Sequence, residues 1–261
     1  MTGDTVSGIL FAHTVTQNNN TNKKMRTKTL LLAAAALAVS LVTSQAQSPV
    51  YSANIVGYAQ TVIYGNGQYT LLANPFDDGN GDLLTNIVDS QNLLPKQSQV
   101  LVWDSVHATF FTIAKGGTPP TWGGSTNLPP GVGFFVRNGS VGSGAPNITN
   151  TFIGTVIVQT QGSVTNQIPV GYSMQGSVIP YVGNVCYNGQ TGGDTNINYG
   201  ASVNTKKSQI LTWDQVNQTY DTAQEGGTPP LWNATVPISV GQGFFINNTG
   251  ASSNVVQNAD Y

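Results

Sequence analysis

Apolar and polar positions along this chain alternate in short runs, and almost none of them repeats at helical spacing. Val50 to Tyr64 is rich in β-branched and aromatic residues and predicts one long or two short strands. Gly65-Asn66-Gly67 supplies the positive φ of a tight turn, and a strand resumes from Gln68 to Ala73 until Asn74-Pro75 ends it. Gln97–Trp103 and Thr109–Ala114 predict a hairpin around Asp104-Ser105-Val106-His107, and Val132–Arg137 a further strand. Gly116 to Pro130 is too rich in Gly and Pro for regular structure. One stretch has a helical pattern: Asp82 could cap a short helix with Leu83, Leu84, Ile87 and Val88 on one face.

The pattern then repeats. Gln99–Ser140 laid on Gln209–Gly250 without gaps matches at roughly 18 of 42 positions, at a constant offset of 110. Trp103-Asp104 meets Trp213-Asp214, the Gly-Gly-Thr-Pro-Pro runs from Gly116 and Gly226 coincide, Trp122 meets Trp232, and Gly133-Phe134-Phe135 meets Gly243-Phe244-Phe245. Such a period exceeds that of solenoid repeats and approaches one small domain. Upstream of it the offset is smaller, with Phe152–Val156 echoing Ile55–Gly57, so the second copy is expected to begin near Asn150. Its Asn184–Asn204 stretch, dominated by Gly, Asn and Thr, predicts a loop where the first copy has its helix.

The expected fold is therefore all-β: two tandem β-sandwich or barrel-like repeats of about 100–110 residues, at 47–148 and 149–261, with one short helix in the first. The alternative is one pseudo-symmetric sandwich built from both copies. Adjacent Phe residues in a strand point to opposite faces, so one of each Phe pair is free to lie outward.

The first 46 residues carry a different signal. Lys23, Lys24, Arg26 and Lys28 precede an apolar Leu30–Val42 segment and a Ser44-Gln45-Ala46 cleavage pattern, which together predict a secretory signal peptide with Met25 as the expected initiator. That apolar run is shorter than a bilayer span requires. From Gln47 onward five basic residues face ten acidic ones, a net charge of about −5, and neutral amides and hydroxyls supply most of the polarity. Nucleic acid and anionic lipid are poor partners for such a surface; polysaccharide or cell-envelope components suit it better. Cys186 is the only cysteine, so no internal disulfide forms, and it is expected to be a small buried apolar residue.

Candidate chemistry is sparse. Past the signal segment there is one His (His107), one Glu (Glu225) and no nucleophile elbow, zinc helix or phosphate loop, so no catalytic residue is assigned. Asp104 and Asp214 are the one carboxylate pair conceivable for glycoside hydrolysis, though each more simply ends a strand. Asp78, Asn80, Asp82, Asn86 and Asp89 fall at positions 1, 3, 5, 9 and 12 of a calcium loop and resemble that of dockerin repeats, but Leu83 stands where the turn requires Gly. Trp122 and Trp232 lie on stiff Gly-Gly-Thr-Pro-Pro-x-Trp loops and are the candidate ligand-binding residues: either a sugar ring stacks on them or they plug the end of a sandwich.

Val50–Tyr58 directly after the signal segment, Leu71-Leu72-Ala73-Asn74-Pro75, the Trp103 strand and Pro130–Phe135 together resemble a group of secreted, duplicated β-proteins of Verrucomicrobia-type bacteria. The resemblance implies export, tandem β units and life at or outside the cell surface, and carries no activity with it. The expected role is that of an exported non-enzymatic structural or adhesive protein, with a carbohydrate-binding module as the alternative and a hydrolase as the third.

Overall fold

The computed structural model describes residues 55–140, 142, 145–157 and 163–258; the stretch expected to be a signal peptide lies outside them. The chain is all-β. Two five-stranded antiparallel sheets form the centre of the described body. The first holds β2 (Tyr69–Ala73), β6 (Gly133–Arg137), β3 (Gln99–Asp104), β4 (Thr109–Gly116) and β5 (Thr121–Trp122), in that spatial order. The second repeats it with β9 (Gly171–Gly176), β15 (Gly243–Asn248), β11 (Gln209–Asp214), β12 (Thr219–Gly226) and β13 (Leu231–Trp232).

Strand alternation gives each sheet two apolar faces. On β3, Val100 and Val102 point to one side and Leu101 and Trp103 to the other; on β6, Phe134 and Val136 oppose Phe135. The outer face of the first sheet is covered by an antiparallel ribbon of β1 (Val56–Ile63) and β7 (Ile148–Thr155), together with the short helix α1 (Leu84–Ile87). The outer face of the second is covered by β8 (Ser163–Ile168) with β16 (Ser253–Asn258), by β10 (Gly183–Cys186) with β14 (Val236–Ile238), and by α2 (Tyr199–Ser202). The inner faces meet each other. Leu71, Phe135, Met174 and Phe245 are buried there, ringed by Tyr69, Leu101, Trp103, Phe110, Leu211 and Trp213. Each copy is thus a sandwich-like half with its own core, and the two stand back to back across a third, shared apolar layer.

That shared layer explains why both Phe residues of each pair are buried, when strand alternation alone left one free to face water: Phe134 and Phe135 are 0% and 4% exposed. It is also isologous, the same surface meeting itself across an internal pseudo-twofold axis. Trp103 Nε1 donates to the Tyr172 carbonyl at 2.8 Å, and Trp213 Nε1 donates to the Tyr69 carbonyl at 2.8 Å. Ala73 N–H donates to Gly241 O, and Gly176 N–H to Gly131 O, both at 2.9 Å. Ring contacts double likewise: Trp103 lies edge-on to Phe245 at 5.7 Å and Phe135 to Trp213 at 5.2 Å. Edge-on pairs of this kind add about 0.5–1.5 kcal/mol each beyond simple burial. Glycine is needed where the sheets touch: a Cβ on Gly133 would stand 2.8 Å from Gln175 O, and one on Gly243 2.5 Å from Leu72 O.

Four local expectations are corrected. The Gly65-Asn66-Gly67 turn exists, but it joins strands of different sheets, since β1 pairs with β7 and β2 with β6. Residues 148–155 do not open the second copy; they run antiparallel to β1 with Ile63 opposite Ile148, and the strand in the same role in the second copy is β16. Asp82 does not cap α1. Its φ is +51°, its carboxylate is taken by Asn74 Nδ2 and Asp78 N–H, and Leu83 is the cap residue without a side-chain bond. Finally, the Asn184–Asn204 stretch is no mere loop: it holds part of β10, a short 3-10 turn at Thr195–Ile197, and α2, capped by the Asn198 side chain on Ala201 N–H at 3.2 Å.

Candidate functional site

The two loop tryptophans do not form a matched exposed pair. Trp232 is 1% exposed, packed in the second core, where a Cβ on Gly200 would come within 2.8 Å of its Nε1. Trp122 is half-buried and packs on the first core with the Lys115 ammonium 5.6 Å from its ring centre. Trp232 has no free face for a sugar ring to stack on, and Trp122 keeps only part of its surface open. Both loops carry a cis Thr–Pro bond, at Thr118-Pro119 and Thr228-Pro229.

The strand pairing sets one residue opposite each of these tryptophans, and here the copies diverge. Lys115 faces Trp122 and Glu225 faces Trp232. Lys115 is buried and fully engaged: its ammonium donates to Asp89 Oδ2, to Asn92 Oδ1 at 2.6 Å and to Leu94 O at 2.7 Å. Glu225 is equally buried, yet both its carboxylate oxygens lack a hydrogen-bond partner among the described residues, as does Trp232 Nε1. Burial pushes the Glu225 carboxyl up to about 7; the Thr205 N–H nearby opposes this only weakly, since it is already given to Val203 O at 2.7 Å. Cys186 is buried nearby with its thiol raised to about 12, mainly by desolvation, which makes it an inert packing residue.

Of the five calcium-loop residues, Asp78, Asn80, Asp82 and Asn86 stay together through hydrogen bonds to the Asp78 carboxylate, with the Asn86 amide on Asp78 Oδ2 at 2.8 Å, while Asp89 is drawn inward by Lys115. Asp77 joins Asp78 and Asp82 in an acidic cluster. Burial alone would raise Asp78, but the Asn86 side chain and the backbone N–H groups of Asn80 and Asp82 outweigh it and hold its carboxyl low. Asp82 is pushed up by burial and by its acidic neighbours. The hydrogen bonds within the loop account for its shape.

Asp104 and Asp214 sit at equivalent hairpin turns. Each carboxylate accepts from the backbone N–H groups two and three residues on, and from a side chain, His107 in the first copy and Asn217 in the second. These bonds hold both carboxyls below the usual carboxylate range, led by the His107 side chain at Asp104 and the Asn217 backbone at Asp214. A glycosidase needs one carboxyl raised to serve as the acid; here both are lowered.

The feature with the character of a binding site lies elsewhere, and no sequence motif marked it. Between the two sheets, at one end of the shared layer, a solvent-open cleft of about 300 Å3 is lined by Trp103, Phe110, Tyr172, Leu211, Tyr220 and Phe245. Tyr172 and Tyr220 are 43% and 38% exposed, and the Tyr172 hydroxyl reaches Gln209 Oε1 at 3.2 Å. The wall is apolar and the rim is neutral amide and phenol, with Asn247 Nδ2 also on Gln209 Oε1. Trp103 is legible in the sequence as a repeated aromatic; its meeting with Tyr172 of the other copy is not. No helix among the described residues is long and apolar enough to cross a membrane. Compared with known proteins, the chain matches no protein family, no curated protein and no solved structure.

Proposed function

We propose that this chain is an exported, non-enzymatic protein that acts by contact outside the cell, in a structural or adhesive role. The observation that supports it best is the aromatic cleft between the copies: a water-open, largely apolar surface rimmed by neutral polar groups, suited to holding a ligand and lined by no acid, base or nucleophile of the carboxylate, imidazole or thiol kind. The lowered carboxyls at Asp104 and Asp214 favour the same reading over a hydrolase. Binding of polysaccharide is the narrower form of this role, and the cleft favours it where the loop tryptophans do not.

The reading is tested by fractionating cells that make the protein and by incubating purified residues 47–261 with whole cells and cell-wall material. Recovery from the medium or the envelope, with sedimentation of the protein on cell-wall material, is expected. Retention in the cytosol, or turnover of a glycan or ester substrate abolished by Asp104→Ala or Asp214→Ala, would overturn it.

A further inference from the structure

The cleft owes its existence to a break in the internal symmetry. Around the pseudo-twofold, the equivalent strand edge, at Tyr69 beside Trp213, is occupied. There the Gln218 side chain lies along the edge of β2: Oε1 accepts from Tyr69 N–H at 2.8 Å, and Nε2 donates to Tyr69 O at 3.2 Å. The Tyr69 ring also folds inward, edge-on to Phe135 at 6.0 Å. In the other half the hairpin residue is Ala108, which shares the positive φ of Gln218 (50° and 53°) but has no amide to offer. The strand there keeps the same register, Tyr172 opposite Asn247 as Tyr69 is opposite Arg137, so the Tyr172 N–H turns to the open edge of β9. No described residue accepts it. The Tyr172 ring swings outward to Gln209 and leaves the apolar wall bare.

We infer that this half is a binding site for a neutral pyranose sugar bearing two free hydroxyls on adjacent ring carbons. The site presents two things at once: an edge donor and acceptor on one residue, and an aromatic wall beside them. In the filled half the Gln218 amide satisfies the donor and acceptor with two neighbouring heteroatoms, one accepting and one donating. Adjacent sugar hydroxyls reproduce that pair, one accepting from Tyr172 N–H and the other donating to Tyr172 O, which already takes the Trp103 indole N–H. The C–H face of the ring covers Trp103, Phe110 and Phe245, and the rim amide of Gln209 meets the outward hydroxyls. A trans peptide-type amide fits less well, because its N–H and C=O point in opposite directions. No charge is required of the ligand, in keeping with the neutral lining. The inference rests on the adhesive reading above and gives it a ligand class.

The test is calorimetric titration of residues 47–261 with cellohexaose and xylohexaose, whose internal rings carry free hydroxyls at adjacent carbons. Saturable binding is expected at one site per chain. Ala108→Gln, which copies the filled half, should weaken it at least tenfold while leaving the thermal midpoint unchanged, and Tyr172→Ala should do likewise. Trp122→Ala and Gln218→Ala should leave affinity within about twofold. The inference is overturned if neither sugar binds, if Ala108→Gln binds as well as the parent, or if an extended Gln-containing peptide occupies the cleft in place of the sugars. Should Ala108→Gln protein still sediment with cell-wall material as the parent does, the adhesive role stands and this site is not its cause.

Discussion

The two copies agree at the centre of the layer they share and diverge most in charge where each closes its own core. Across the pseudo-twofold, Trp103 and Trp213 make the same bond to matched tyrosine carbonyls, Tyr172 and Tyr69, and the Phe rings interlock in the same way. Behind each sheet, one copy buries a lysine within a complete set of acceptors, while the other buries a glutamate with none among the described residues. A shared contact constrains both partners together, because a change on one side alone misfits the other. A private core is free to drift, and the drift here has reached opposite charges at matched positions.

The largest effects should come from that divergent position. Lys115→Met leaves the Asp89 carboxylate buried without its cation and is expected to cost about 3–5 kcal/mol. Adding Asp89→Asn, which keeps a residue tolerant of the φ of +63°, should recover most of it. Glu225→Met, the matched change, removes an unpartnered carboxyl and is expected to be neutral or stabilising. Urea unfolding monitored by circular dichroism measures all three, and equal losses at 115 and 225 would erase the contrast.

The shared layer should show the reverse, equality. Phe135→Ala and Phe245→Ala each open a cavity in a buried site and are expected to cost about 3–4 kcal/mol apiece. Because the layer belongs to both halves, tryptophan fluorescence and far-UV signals should still fall in one transition. Two separated transitions in either variant would mean the halves stand independently.

A smaller effect follows pH. Glu225 has its folded pKa raised to about 7 from 4.5, so the folded state holds the proton more tightly than the unfolded chain does. Its contribution is greatest below about pH 4.5 and is lost as pH rises toward 7, a fall of roughly 2–3 kcal/mol. The difference in stability between parent and Glu225→Gln, measured at intervals from pH 4 to 8, should grow in favour of Gln across that window. A flat difference would show that the carboxyl is solvated in the folded state.

How much of this was readable beforehand depends on how local its cause is. The β3–β4 hairpin, the strand at Gly133–Arg137 and the doubled aromatics follow from alternation within a few residues, and so they appear in the sequence. The role of Asp89 does not, because its partner Lys115 lies 26 residues away and its spacing from Asp78 imitates a metal loop. The place of β7 was hidden for a similar reason: Phe152-Ile153-Gly154 reads like another opening strand, and only the distant pairing, Ala59 opposite Phe152 and Gly57 opposite Gly154, shows it closing the first copy. Trp232 reads as a loop residue until Gly200 and α2 are seen to wrap it. The cleft was the least visible feature. Beside it the copies differ at one hairpin position, Ala108 against Gln218, and both residues take the same positive φ, so nothing local marks the change.

The isologous layer has one more consequence. A single copy bearing that aromatic face would have to meet a second molecule to cover it, and its stability would fall with dilution. With both copies on one chain the partner is always present, at an effective concentration of about millimolar for a short linker. The pairing then holds at any dilution, and the cleft that spans both copies is present in every folded molecule.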